Sequence, residues 1–340
     1  MKRTLVLALL LILFPVASFA TSITSLTVFG DSLSDQGNAF ALTGGLFPPP
    51  PYFAGRASNG PVAAEVLANV LGVPLTASTA GGSNYAVIGA ATGQVAIPGG
   101  GGATTDNFAA ITYGLPVLAG TGLLNQALSY ISGGPTTNPD SSLFLVWGGS
   151  NDFFINPSAT TATNAVTNLA TVIQLLYANG AREFLVPNMP DLSLTPFGLS
   201  LPPLQQAGLH ALSLGFNAGL SGALGQLQAL PGIQITPFDT FALLTLISAD
   251  PGSFGFTDAT TPCIQGILVG SPTVCADPNS HVFWDSVHPT AAANQVVGKA
   301  FAQAVTPVPE PSTLVLLGSA LIGVVRARHL RSSGRPVRRN

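Results

Sequence analysis

Positive charge is scarce in this 340-residue chain. Lysine and arginine number 11 against 14 acidic residues, and all charged residues together make 7%. Between residues 21 and 306 only Arg56, Arg182 and Lys299 are basic, against 13 acidic residues, so that span carries a net charge near −10. Without a basic face to neutralise phosphates, nucleic-acid binding is excluded, and a strongly anionic membrane surface is a poor partner. Cysteines number only two, Cys263 and Cys275, too few for a structural metal cage of thiolates. No internal repeat and no charged or Ser-rich linker interrupts the middle of the chain, so about 285 residues read as one large domain. The run "IPGGGGATTDN" (97–107) lacks the Gly-Lys-Ser/Thr ending of a phosphate loop and reads as a flexible insertion.

The ends are a different matter. "MKRTLVLALLLILFPVASFA" joins two basic residues, an apolar run and small residues ending at Ala20. That three-part layout is a secretory signal peptide over residues 1–20, cut after Ala20. The alternative is a membrane anchor, and the run is shorter than the about 20 apolar residues a span needs. At the other end, residues 307–340 join Pro309-Glu310-Pro311, a short apolar helix near Thr313 to Val325, and an arginine cluster. Positive charge after an apolar segment holds that end in the cytoplasm. This ordered triplet resembles a PEP-CTERM sorting signal. The resemblance implies a Gram-negative exporter, transient anchoring in the membrane through the C-terminal helix, removal by an exosortase, and release to the periplasm, outer surface or extracellular matrix.

Export favours a disulfide between Cys263 and Cys275, which share one Pro-rich loop. Short apolar runs at Leu26–Phe29, Tyr85–Ile88, Leu143–Trp147, Phe184–Val186 and Ile233–Thr236 read as buried strands. Helical patterns at 61–72, 164–180, 204–229 and 289–305 separate most of them, the third broken at its glycines. Strands alternating with helices predict an α/β fold with a central parallel sheet covered on both faces. Ligands on such sheets bind beyond the carboxyl ends of the strands. That rule gathers Gly30–Asp35, the turn from Gly89, Gly148–Asp152 and Asn188–Asp191 on one rim. The loop "GLFPPPPYFAGR" (45–56) is expected to contain a stiff extended segment.

Four histidines are present. His329 lies in the tail, and His210 sits in an Ala/Leu helix as a packed or surface residue. Asp285 and His288 are three residues apart in "FWDSVHPT", so one turn brings them together. A carboxylate beside a histidine orients the ring and supports the imidazolium that forms when it takes a proton. Ser32, after a strand and Gly30, is a candidate nucleophile, although a serine there is commonly a helix cap. Asp-x-x-His also fits a surface hydrogen bond or, with His281, half a metal site. Asp31 and Asp35 read as structural, and Arg56 as paired with an acidic neighbour or a loop carbonyl.

"GDSLSDQGN", "GRASNGPVAAEVLANVLG", "NYAVIGA", "GGSND" and "FWDSVHPT" occur in that order. Together they resemble the GDSL/SGNH hydrolase family over roughly residues 26 to 304, within a hydrolase domain spanning 21–306. The Gly-x-Ser-x-Gly of the other esterase fold is absent around Ser32. The resemblance implies a three-layer α/β/α sandwich of flavodoxin-like kind and a serine esterase without cofactor or metal. It makes Ser32 the nucleophile, His288 the general base and then acid, and Asp285 its orienting partner. The oxyanion hole would be the backbone N–H of Ser32, that of Gly89 and the side-chain amide of Asn151, with Gly82 as a rival for Gly89. Its substrate would be an ester of a lipid or of an acylated saccharide. Two other functions remain open at this level: an acyltransferase using the same triad, and a surface or matrix protein that kept the fold and lost activity.

Overall fold

The structure, a computed structural model, describes residues 23–134, 138–266 and 272–306. The terminal segments with the expected signal peptide and sorting tail, and His329, lie outside these residues. No described helix is long and apolar enough to cross a membrane.

The chain runs β1 (Ser25–Gly30), α1 (Asn38–Leu42), α2 (Ala63–Leu71), β2 (Ala90–Ala96), β3 (Thr104–Asn107), α3 (Phe108–Thr112) and α4 (Leu123–Gly133). It continues through β4 (Ser142–Trp147), α5 (Ser150–Ile155), α6 (Ala159–Ala178), β5 (Glu183–Pro187), α7 (Pro196–Leu199) and α8 (Pro203–Leu227). Then come β6 (Gln234–Phe238), α9 (Thr240–Ala249), β7 (Ile264–Gln265), β8 (Thr273–Val274) and α10 (Ala291–Val305). Short 3-10 turns join several of these.

Strands β1, β4, β5 and β6 form a parallel sheet in the order β1-β4-β5-β6. Alternation along the strands makes two apolar faces. Phe29, Phe144, Val146, Phe184 and Val186 face one core with Tyr130 of α4, Leu169 and Val172 of α6, and Phe216 and Leu220 of α8. Leu26, Val28, Leu143, Leu145 and Leu185 face the other, with Leu67 of α2 and Phe301 of α10. Helices on both faces of the sheet give the three-layer α/β/α sandwich that the strand–helix alternation predicts.

Three expectations need correction. Tyr85–Ile88 is not a separate strand of the sheet. It lies extended beside β1, where the Tyr85 N–H donates to the Val28 carbonyl at 2.8 Å and Val87 N–H to Gly30 at 3.2 Å. The segment then turns at Gly89 before a full ladder forms. The long helix is not broken at its glycines: α8 is continuous from Pro203 to Leu227, because packing across the core outweighs the roughly 1 kcal/mol each exposed glycine costs. Residues 97–107 are not wholly a flexible insertion, since Thr104–Asn107 is β3, paired antiparallel with β2. Beyond any extended segment, the 45–56 loop folds back on itself. It turns where Tyr52 N–H meets the Pro49 carbonyl at 3.1 Å and folds back so that Phe53 N–H reaches Ser58 at 2.9 Å.

Candidate active site

The carboxyl end of β1 delivers Ser32 to one rim of the sheet. Gly30 is required there because a Cβ on it would stand 2.7 Å from the Trp147 carbonyl of β4. The Gln126 side chain of α4 clamps the same residue: its Oε1 accepts from the Gly30 N–H at 2.9 Å and its Nε2 donates to the Gly30 carbonyl at 2.8 Å. The next turn closes through Ser34 and Asp35 N–H groups on the Asp31 carbonyl, at 3.0 and 2.9 Å. Ser32 is therefore held on a rigid corner.

The Ser32 hydroxyl lies 2.8 Å from His288 Nε2, and His288 Nδ1 lies 2.7 Å from Asp285 Oδ2. Residues 256 positions apart in sequence are thus in direct contact. Asp285 closes its own turn: its Oδ1 accepts the Val287 and His288 N–H groups at 2.9 and 2.8 Å. His281, the other histidine of this segment, pairs with Asp258 at 3.8 Å, and no cluster of metal-ligating side chains exists among the described residues.

The "GRASNG" block latches the histidine loop. Ser58 Oγ donates to the Pro289 carbonyl at 2.9 Å, and Asn59 Oδ1 accepts from the Ala291 N–H at 2.7 Å. Arg56 pairs with Glu65 at 2.7 Å and donates to the Ala54 carbonyl at 2.6 Å.

Gly89 and Asn151 sit on the same rim. Gly89 has φ +81°, and a Cβ there would lie 2.7 Å from both the Ala109 nitrogen and Asn107 Oδ1. Only glycine fits that turn without displacing α3. Asn151, at the start of α5, donates to the Ala90 carbonyl at 3.0 Å and more weakly to Asp31 Oδ2 at 3.3 Å. Gly82 is used otherwise: its N–H donates to the Ala77 carbonyl at 3.0 Å, and it does not line the cavity that Ser32, Gly89 and Asn151 share.

Asp31 and Asp35 have distinct structural tasks. Asp35 accepts the N–H groups of Gly37, Asn38, Ala39 and Ile88 at 2.7, 2.6, 3.1 and 2.9 Å. It thereby joins the serine loop to the strand end that carries Gly89. Burial pushes both carboxyls up, to about 6. The Asp285 carboxyl is also pushed up by burial, but the His288 charge, hydrogen bonds from His288 and Tyr52, and the Val287 N–H bring it below its ordinary value. Burial lowers the His288 imidazole; the Asp285 charge and hydrogen bond, with the Asp31 charge, outweigh it and leave it above its ordinary value. The pair is built to keep the carboxylate ionised and to hold a proton on the imidazole.

Two contributors carry no sequence signal of their own, Gln126 and Tyr52. Tyr52 Oη donates to Asp285 Oδ2 at 2.6 Å. Nothing but the fold brings that loop over residue 285. His210 is exposed, as its helix position suggests, but its Nδ1 lies 2.6 Å from buried Asp191.

Ser32, Tyr52, Asp285 and His288 border a cavity of about 1210 Å³. Its wall is aromatic: ring centroids of Phe47 and Tyr113 lie 5.2 Å apart, Phe108 and Tyr113 6.4 Å, Phe108 and Phe154 5.9 Å, and Phe154 and Phe197 5.7 Å. Among the described residues, no lysine or arginine lines it.

An open parallel sheet with serine, histidine and aspartate in contact beyond its strand ends has the arrangement of a hydrolase that attacks acyl groups. The chain belongs to the GDSL-like lipase/acylhydrolase family, whose family model matches residues 26–301, and it is an ester-bond hydrolase. A PEP-CTERM protein-sorting motif occupies residues 307–331. Among similar proteins, the GDSL esterase/lipase APG of Arabidopsis thaliana is 28% identical, over 83% of this chain and 91% of its own. An uncharacterized protein from the trpE-trpG intergenic region of Pseudomonas putida is 31% identical over 86% of this chain, which spans only half of that protein's length. The thermolabile hemolysin of Vibrio parahaemolyticus is 27% identical over 82% of this chain and 62% of its own. A solved member of the lipolytic G-D-S-L family from Veillonella parvula aligns over 83% of the chain and 95% of its own at 14% identity, TM-score 0.41.

Proposed function

We propose that this protein is an exported serine esterase acting on esters of apolar acyl groups, with Ser32 as nucleophile. The observation that carries the reading is the unbroken contact from Ser32 Oγ through His288 to Asp285, at 2.8 and 2.7 Å, on the border of an apolar cavity. Ser32 Oγ attacks the ester carbonyl carbon and passes its proton to His288 Nε2. The carbonyl π pair moves to oxygen. The Ser32 and Gly89 N–H groups, with Asn151 Nδ2, receive that oxyanion, Asn151 exchanging its long bond to Asp31 for the new one. Collapse expels the alcohol, which takes the proton from His288, and leaves an acyl-Ser32. Water repeats the sequence with His288 as base, and Ser32 recovers its proton as the acid leaves.

The chemistry of the wall favours acyl chains over sugar O-acyl groups. A saccharide needs several polar side chains aimed at its hydroxyls, since a buried unpaired hydroxyl is costly. The five linked rings and Leu46, Leu201 and Leu243 make most of the wall, with Tyr113, Ser150, Thr195, Gln205 and Thr240 as scattered polar side chains among them. Hydrolysis of p-nitrophenyl esters of increasing acyl length, beside acetylated sugars, tests this. Specificity constants should climb with chain length beyond acetyl; a preference for acetylated sugars would reverse the assignment.

Export through residues 1–20, anchoring by the C-terminal helix, and exosortase removal near Pro309–Pro311 belong to the same proposal. They rest on the tripartite ends of the sequence and on the sorting motif at 307–331. The final compartment would be the periplasm, outer surface or matrix. The hydrolase domain, 21–306, would remain whole after both cuts.

A further inference from the structure

Asp285 receives four donors, and one comes from a distant loop. Its Oδ1 takes two backbone N–H groups from its own turn. Its Oδ2 takes His288 Nδ1 at 2.7 Å and the Tyr52 hydroxyl at 2.6 Å. Tyr52 lies 233 residues upstream, in the "PPPPYF" segment. Its ring is itself fixed: it meets Trp284 edge-on at 6.4 Å and packs with Ile264 and the Cys263–Cys275 pair. The same loop supplies Leu46, Phe47, Pro48 and Pro49 to the cavity wall.

We propose that Tyr52 is a positioning residue of the triad: its phenol O–H fixes the Asp285 oxygen that holds His288, and ties the cavity wall to the reacting groups. This rests on Ser32, His288 and Asp285 being the reacting set. The geometry supports it in three ways. The acceptor is the oxygen that orients the imidazole, not the one satisfied by the backbone. The phenol is partly buried, and burial together with the Asp285 charge pushes its ionisation upward, so it stays a donor. With the hydroxyl gone, no other described side chain is bonded to Oδ2 except His288.

Removing this donor leaves more charge on Oδ2, which then holds the imidazolium more tightly. The other titratable groups facing the pair are Asp31, from the loop after β1, and Tyr113, from the end of α3. Both stay in place in a Tyr52 variant, so a change in the pH profile reports the lost hydroxyl.

The experiment is steady-state hydrolysis of a short p-nitrophenyl ester across pH. It compares wild type, Tyr52→Phe and protein carrying 3-fluorotyrosine at position 52. Phenylalanine keeps the ring against Trp284. Fluorination makes the phenol a stronger donor without changing its shape. Tyr52→Phe should lower kcat about tenfold, in keeping with one hydrogen bond to a charged group, with KM near wild type and the acid limb of kcat/KM displaced to higher pH. The fluorinated protein should shift that limb to lower pH. In an Asp285→Asn background Tyr52→Phe should cost nothing further, because it acts only through that carboxylate. Acid limbs that coincide in all three proteins, or an equal loss with and without Asp285, would overturn the proposal even if Tyr52→Phe folds poorly. Ser32→Ala, run alongside, separates the two readings: if it is inactive while Tyr52 variants match wild type, only the Tyr52 proposal falls.

Discussion

The side-chain amide of Gln126 holds both backbone groups of Gly30, its Oε1 2.9 Å from the nitrogen and its Nε2 2.8 Å from the oxygen. A glutamine on α4 thus does for the end of β1 what a neighbouring strand would do. Gln126→Leu leaves a buried N–H without a partner and weakens the clamp on the serine corner. It should cost about 1–3 kcal/mol in urea unfolding and reduce kcat more than it raises KM. Unchanged unfolding would mean that Gly30 needs no such partner.

Asn151 offers a second test, of the oxyanion site. Asn151→Ala removes one donor from the cavity rim and should lower kcat by roughly 10²–10³ with KM little changed. Its present partners are the buried Ala90 carbonyl and the buried Asp31 carboxylate, which lose a donor, so the variant should also be less stable by about 1–3 kcal/mol. A rise in KM at constant kcat would move Asn151 from the oxyanion to ground-state binding.

The pH profile follows from the charges around His288. His288 must be neutral to take the Ser32 proton. Burial lowers its ionisation, but the Asp285 charge outweighs burial and leaves it above its ordinary value. The acid limb of kcat/KM should therefore lie above about pH 6.5. Asp285→Asn removes that charge and should carry the limb to lower pH as activity falls. For folding the sign is the same: a raised histidine stabilises the fold at low pH and loses that contribution as pH rises through its raised value. The depressed Asp285 contributes above the ordinary aspartate range and loses it in acid. The pair stabilises most between about pH 4 and 6.5. A limb that stays put in Asp285→Asn would show that Asp285 does not set the His288 charge.

How much of this was open to the sequence depended on chain distance. The parallel sheet was legible because β1, β4, β5 and β6 are short apolar runs between helical patterns. Asp285 and His288 were legible because three positions fit one turn. Ser32 came from ordered motif blocks. Tyr52 and Gln126 were not legible, since a tyrosine after four prolines and a glutamine in a helix carry no periodic or spacing signal until the fold brings them to residues 285 and 30. The continuity of α8 was missed for a related reason: glycine propensity is local, whereas the packing of Phe216 and Leu220 that overrides it is not.

The cysteine pair is the other place where sequence and fold agree. Cys263 and Cys275 form the expected disulfide. The hairpin it closes is bonded to the segment just before Asp285: Cys263 N–H donates to the Phe283 carbonyl at 3.0 Å and Ile264 N–H to the Trp284 carbonyl at 2.7 Å. Cys263→Ser with Cys275→Ser should cost about 2–3 kcal/mol of stability for so short a loop and lower kcat through Asp285. Retained kcat in the folded double variant would confine the disulfide to stability alone.

The account stands most directly on Ser32. A fluorophosphonate probe reacts only with a serine whose hydroxyl is activated by a neighbouring base. Incubation of the folded protein followed by peptide mass spectrometry should find one adduct, on Ser32. His288→Ala should abolish labelling at that position. An adduct on another residue, or labelling of Ser32 that survives the loss of His288, would contradict the assignment of nucleophile and base.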